Sequence, residues 1–213
     1  AKEPLVNRWE QGDGYVLFSS DYSFAPVRPI RWERRVLSCG GAYWLLQDVL
    51  TGEPETTQVE QNFQFEADVH VELDGQRTVA TAPNGARLLL VPLDGGLKPS
   101  LTIGDKTPHV SYWPKGSPSD VLRSEDGYDQ RHGRGWTGRS GSRLLPAPAV
   151  TYTGQARLPA TLTLLIVPLP AAGGDVPAVD REETDDGTMW TLPTGTGILK
   201  AKTSPERLEV LGG

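Results

Sequence analysis

An antiparallel two-sheet β-sandwich of roughly a dozen strands is the fold that the sequence predicts. Short runs of β-branched, aromatic and aliphatic residues recur along the chain, and in several of them every second residue is apolar. Gly (24 residues) and Pro (18 residues) separate these runs, as is typical of turns between strands. No segment has the apolar period of an amphipathic helix, and no repeat indicates a propeller. The 213 residues therefore fit one all-β domain.

Turn residues separate the strands that are predicted in the first half of the chain. A strand at residues 14–19 is followed by strands at 34–38 and 42–49, which flank a Gly40-Gly41 turn typical of a hairpin. Further strands are predicted at 58–65, 69–73, 78–82, 86–91 and 97–103. Asn84-Gly85, between two of them, is the strongest short hairpin signal in the chain. Asp48 precedes a turn, so its side chain is expected to bond to the backbone there.

The second half of the chain begins with a long polar stretch. Residues 108–148 are rich in Gly, Ser and Arg and lack strand signals, which predicts a long functional or irregular loop. Strands are predicted again at 149–153 and 160–167. Residues 171–187 are rich in Gly, Pro and acidic residues and are predicted to form a surface connection. A terminal meander follows over 188–213, with strands at 188–192, 197–202 and 207–211, so we predict a single domain over residues 1–213.

Charge and composition argue against several classes of function. The formal net charge is −6, whereas a nucleic-acid-binding domain usually carries a basic surplus. The longest apolar run, at residues 162–169, contains Pro168 and is far shorter than a membrane span. Cys39 is the single cysteine, and no nucleophile motif surrounds it. No residue spacing typical of a metal site and no nucleotide-binding motif is present, so we expect no metal, cofactor, nucleic-acid partner or membrane partner.

Several short motifs recur in a recognisable order over roughly residues 15–170. They are a basic pair before an aromatic strand and an Asp-containing turn (34–37 and 43–52), two Phe residues before Asp-Val and Asp-Gly pairs (63–65, 68–69 and 74–75), Gly-Trp, Ser-Gly and Pro-Ala-Pro elements (135–136, 140–141 and 146–148), and a Tyr followed by Leu-Pro and Thr-Leu-Leu (152, 158–159 and 163–165). Together they resemble the β-sandwich part of heparinase II/III-like polysaccharide lyases. The chain has Gln64 and Trp32-Glu33 where many relatives have His.

The resemblance implies a role in degrading anionic polysaccharide. Enzymes of this family cleave uronate-containing chains by β-elimination, with catalytic Tyr and Asn or His residues on a preceding α/α-toroid and a His-x-His motif that opens the β domain. The 213 residues contain neither feature, so we expect a C-terminal domain that lies downstream of the chemistry, holds no catalytic residue and is inactive alone. Its expected partners are an anionic polysaccharide and the N-terminal α/α-toroid of the parent enzyme. Its expected location is the bacterial periplasm or the exterior of the cell.

The segment 131–143 is the candidate substrate-binding site. It has no acidic residue and carries Arg131, His132, Arg134, Trp136, Arg139 and Arg143. Arg forks bind carboxylate and sulfate groups through paired hydrogen bonds, and a Trp face can stack on the apolar side of a sugar ring. The segment could also be a solvated loop whose charges offset the acidic residues that precede it. A free-standing carbohydrate-binding module and a purely structural domain remain alternatives, because a β-sandwich serves all three roles.

Overall fold

The structure is a computed structural model, which describes residues 7–23, 30–53, 55–94, 96–105, 134–139, 143–171, 174–195 and 197–211. All regular secondary structure in these ranges is β-strand, and every strand pair is antiparallel. The predicted antiparallel, all-β sandwich is confirmed. Within the same ranges, no helix is long and apolar enough to cross a membrane.

The described residues form 17 strands, more than the number predicted. In chain order they are β1 (Asn7–Gly12), β2 (Tyr15–Ser23), β3 (Ile30–Cys39), β4 (Tyr43–Gly52), β5 (Thr56–Gln64), β6 (His70–Asp74), β7 (Arg77–Thr81), β8 (Arg87–Pro92), β9 (Lys98–Ile103), β10 (Trp136–Arg139), β11 (Arg143–Pro146), β12 (Pro148–Arg157), β13 (Ala160–Leu169), β14 (Asp180–Thr184), β15 (Gly187–Thr194), β16 (Gly197–Thr203) and β17 (Leu208–Val210).

The strands assemble into one large sheet and three smaller ones. The large sheet has eight strands in the order β1-β2-β3-β4-β13-β8-β7-β6. A three-stranded sheet has the order β5-β12-β9, a four-stranded sheet has the order β14-β15-β16-β17, and β10 pairs with β11 in a hairpin. Strand β13 is therefore central in the large sheet although it comes late in the sequence, and its two neighbours β4 and β8 come from the first half of the chain.

Alternation along β13 shows that the large sheet is covered on both faces. Leu164 packs in a core cluster with Val150 and Tyr152 of the three-stranded sheet. Its neighbour Leu165 packs in a second cluster with Trp190 of the four-stranded sheet. Because successive side chains of a strand point to opposite faces, the two smaller sheets lie on opposite sides of the large one. The sandwich thus has a third layer. Each fully buried Leu of β13 contributes about 1.5–3 kcal/mol of hydrophobic stabilisation.

Strands occur in three regions where the sequence predicted none. Strand β1 has no predicted counterpart, and β10 and β11 lie inside the stretch 108–148 that was predicted to be non-strand. Strand β14 lies inside the predicted surface connection 171–187, and all five of its residues are exposed. Among the described strands, both β1 and β14 are edge strands, with a paired neighbour on one side. Such strands are held by backbone hydrogen bonds and need no alternating apolar residues, so the sequence pattern does not reveal them.

Candidate functional site

Arg134 lies two residues before the start of β10, over the outer face of the three-stranded sheet. Its Nη1 donates to Oγ1 of Thr151 at 2.7 Å, and its Nη2 forms an ion pair with Glu60. The Thr151 hydroxyl in turn donates to Oδ1 of Asn62 at 2.9 Å. Arg134 and Glu60 are both about three-quarters buried, so much of the Arg134 charge is balanced by Glu60. Since a guanidinium has five N–H donors, this arrangement still leaves donors for an anionic ligand.

The hairpin of β10 and β11 holds three more of the predicted site residues. Arg139 pairs with Arg143 in register, so the backbone brings these two positions opposite each other at the end of the hairpin. Trp136 is half-buried, and its indole N–H donates to the backbone oxygen of Asp105 at 2.8 Å. This bond fastens the hairpin to the end of β9. The side chains of Arg139 and Arg143 lie outside the described part of the structure, as do Arg131 and His132 altogether.

Gly135 holds the start of the hairpin close to β9. Its backbone oxygen accepts hydrogen bonds from the N–H of Gly104 and of Ala147, both at 2.8 Å. Its φ is +89°, and a Cβ placed there would lie 2.7 Å from the Gly104 nitrogen. Only glycine fits this backbone conformation and this close approach without strain. The position of Arg134 and Trp136 on either side of it is therefore set by the backbone.

Three residues of this site were missed by the sequence analysis. Glu60, Asn62 and Thr151 share the outer face of the three-stranded sheet and contact Arg134 directly or through one hydrogen bond. The alternation of Val59 and Gln61 with Glu60 does predict that Glu60 points away from the core. Its pairing with Arg134 joins positions 74 residues apart, and no local pattern signals such a contact.

A cavity of about 270 Å³ has Glu60 among its lining residues and lies along β5, at the edge of the three-stranded sheet. We call it the β5-edge cavity, because five consecutive β5 residues (57–61) line it together with residues of β3, β4 and β13. Its walls are mostly apolar, with Ile30, Leu50, Val59 and Leu162 among the lining residues. The Arg134 surface and this cavity therefore share Glu60.

Asp48 organises the polar part of the cavity wall. It is 3% exposed, and Nε and Nη2 of Arg34 donate to its two oxygens at 2.7 and 2.8 Å. The indole N–H of Trp32 donates to Oδ1 at 2.9 Å, and the amide of Gln61 donates to Oδ2 at 2.7 Å. The hydrogen bonds that Arg34 donates to Asp48 raise the pKa of Arg34. The predicted bond from Asp48 to turn backbone is wrong, because Asp48 lies within β4 and faces side chains of neighbouring strands.

The nucleophilic and metal-binding residue types form no catalytic cluster in the described residues. Cys39 is buried, and this burial raises the pKa of its thiol to about 12. His70 is exposed on β6, with Nε2 3.2 Å from a carboxylate oxygen of Glu72. In the described ranges, no group of three or more His, Cys, Asp or Glu residues could hold a metal ion. The described site combines Arg donors, a Trp, and an apolar cavity with polar groups along one wall.

Comparison with known proteins gives a fold but no sequence family. No protein-family model matches the sequence, and no curated protein matches it significantly. The heparan sulfate lyase HepC from Pedobacter heparinus matches the structure with a TM-score of 0.63 at 17% identity, over 94% of this chain and 28% of that one. Two heparinase III structures match with TM-scores of 0.60 and 0.57 at 11% and 12% identity, each over 94% of this chain and 27% of theirs. The chain thus shares the fold of one part of these lyases and spans 27–28% of their length.

Proposed function

We propose that this chain is the C-terminal β-sandwich domain of a heparinase II/III-like polysaccharide lyase. The observation that carries the proposal is the fold match, which covers 94% of the chain and only 28% of a heparan sulfate lyase. The motif order found in the sequence supports the same family independently of the fold. In this proposal the rest of the parent enzyme supplies an α/α-toroid with the catalytic groups, and the substrate is a uronate-containing anionic polysaccharide cleaved by β-elimination.

The domain's contribution is to line one side of the substrate cleft. Arg134 has N–H donors beyond those that contact Glu60 and Thr151. The hairpin, which follows Arg134 in the sequence, places Arg139 opposite Arg143. A polyanion would be held by several such contacts together, since a single exposed ion pair contributes about 0–1 kcal/mol. Binding by the isolated domain is then weak and strongly dependent on salt.

The first test separates this role from an independent enzyme. The purified chain is mixed with heparan sulfate, alginate and related uronate polymers, and the unsaturated product is followed by its absorbance. We expect no product above a buffer control. Robust, protein-dependent product formation would overturn the assignment of catalysis to another domain.

The second test uses the intact parent enzyme and the hairpin arginines. Arg139→Ala with Arg143→Ala removes charge at the hairpin end, whereas substitution of Arg134 or Trp136 also breaks internal hydrogen bonds. We expect a raised KM on the natural polymer at low salt with unchanged Tm. The matched control is Arg157→Ala, which removes an Arg that is 79% exposed and paired with Glu55 elsewhere on the surface. If the double variant and the control have equal kinetic constants, the hairpin does not line the substrate cleft.

A further inference from the structure

The β5-edge cavity has the composition of a sugar-binding pocket rather than of an anion site. Its volume of about 270 Å³ approaches the lower limit of small-molecule sites, about 300 Å³. The lining is largely apolar, and polar side chains of Thr57, Gln58 and Gln61 are distributed among the apolar ones. Small-molecule sites commonly combine mostly apolar walls with a few polar groups that orient the ligand.

Trp32 lines this cavity and is held in one orientation. Its indole N–H is bound to Oδ1 of the buried Asp48 at 2.9 Å, and the guanidinium carbon of Arg34 lies 5.0 Å from its ring centroid. The residue is nevertheless 37% exposed. An aromatic ring that is fixed before a ligand arrives loses little conformational entropy on binding, which favours affinity. Trp32 is thus a preorganised aromatic side chain in the lining of the pocket.

Charge distinguishes the kind of ligand that the cavity accepts. Asp48 and Glu60 line it, whereas its described lining contains no Lys, Arg or His. The cations that balance the two carboxylates, Arg34 and Arg134, are engaged with them by hydrogen bonds. A sulfate or uronate group inside the cavity would therefore lie beside two acidic residues, with no cation among the described lining residues. An uncharged ring would meet apolar walls, the Trp32 side chain, and residues with amide and hydroxyl groups.

We propose that the β5-edge cavity binds an uncharged pyranose ring of a saccharide, with the apolar face of the ring against Trp32. The inference rests on the proposed function in that it takes the domain's ligand to be a polysaccharide. It adds that the domain binds two kinds of group at two neighbouring sites. Charged groups bind near the hairpin arginines, and an unsulfated, uncharged sugar unit binds in the cavity.

The test measures binding of two tetrasaccharides to the purified chain by titration calorimetry and by tryptophan fluorescence. One is the neutral tetramer of N-acetylglucosamine, and the other is a sulfated heparin tetrasaccharide. We expect the neutral tetramer to bind and to change tryptophan emission, and Trp32→Ala to weaken that binding by about tenfold, the effect of one aromatic contact. The matched control is Trp9→Ala, because Trp9 is an exposed tryptophan of the same sheet (68%) that does not line the cavity.

Loss of binding must be distinguished from loss of folding, and the pocket proposal from the lyase assignment. Each variant is compared with the parent chain by Tm, and Trp32→Phe keeps an aromatic face while losing the bond to Asp48, so it should retain more affinity than Trp32→Ala. Absence of neutral-tetramer binding to the unaltered chain overturns the proposal, and so does equal loss in the Trp32 and Trp9 variants. Those results would leave the lyase assignment intact if the parent enzyme still cleaves its polymer. Binding of the neutral tetramer at Trp32 with an inactive parent enzyme would instead refute only the lyase assignment.

Discussion

Removal of the Asp48 carboxylate is expected to destabilise the fold strongly. Asp48 is 3% exposed and accepts four hydrogen bonds from Arg34, Trp32 and Gln61, so Asp48→Ala leaves donors on three side chains without their acceptor. Breaking a buried ion pair by removing one partner costs about 3–5 kcal/mol. The Arg34 side chain is 36% exposed, and water can partly solvate it after the change. We therefore expect a loss near the lower limit, about 3 kcal/mol.

The measurement is urea unfolding followed by circular dichroism, with the thermal midpoint as a second readout. For a domain of this size, about 3 kcal/mol corresponds to a fall in Tm of roughly 6–12 °C. Glu55→Ala is the control, because the Glu55–Arg157 pair is exposed on both sides and contributes about 0–1 kcal/mol. If Asp48→Ala and Glu55→Ala differ by less than about 1 kcal/mol, the Asp48 network is not the stabilising unit that its geometry indicates.

Three further predictions follow from burial and backbone geometry. Since burial raises the Cys39 pKa from 9.0 to about 12, the unfolded thiol ionises first, and the free energy of unfolding should fall between about pH 9 and pH 12. Cys39→Ala should reduce this slope without abolishing it, because burial also raises the pKa of Tyr43 and of Tyr152, and native Cys39 should resist thiol reagents at pH 8. Tyr152→Phe should cost about 1–3 kcal/mol in urea unfolding because it removes the buried 2.6 Å bond to Thr78, and adding Thr78→Val should recover part of the loss. Gly135→Ala should lower Tm more than Gly75→Ala, because both have positive φ but only at Gly135 does the new Cβ meet backbone, 2.7 Å away.

Local signals in the sequence were sufficient for most strands of the core. Alternation of apolar residues identified β5, and Asn84-Gly85 identified the turn between β7 and β8, where Gly85 has a φ of +83°. These signals are local because strand periodicity and turn chemistry depend on residues that are close in sequence. The same reasoning missed β10 and β11, whose segment is polar and lacks apolar alternation.

The candidate site was only partly accessible to the same reasoning. Arg134 and Trp136 were selected because of their chemistry, and their described contacts place both next to the three-stranded sheet or its end. The partner of Arg134 was not selected, because Glu60 is 74 residues away and carries no motif of its own. Trp32 entered the sequence analysis only as a departure from the family pattern, and its position beside a cavity depends on β3, β4 and β5 meeting in space.

The sequence by itself determined the all-β class, the positions of most strands and the acidic character of the chain, because period-two alternation, turn residues and composition are properties of neighbouring residues. The tertiary structure alone decided that β13 lies between β4 and β8 and that a third layer covers the large sheet. It also decided that Asp48 gathers Trp32, Arg34 and Gln61. Such arrangements come from pairing between strands that are distant in sequence. The free energy of this pairing depends on burial of both faces of the sheet and on hydrogen bonds to buried charged groups. Neither quantity can be predicted from a local sequence pattern.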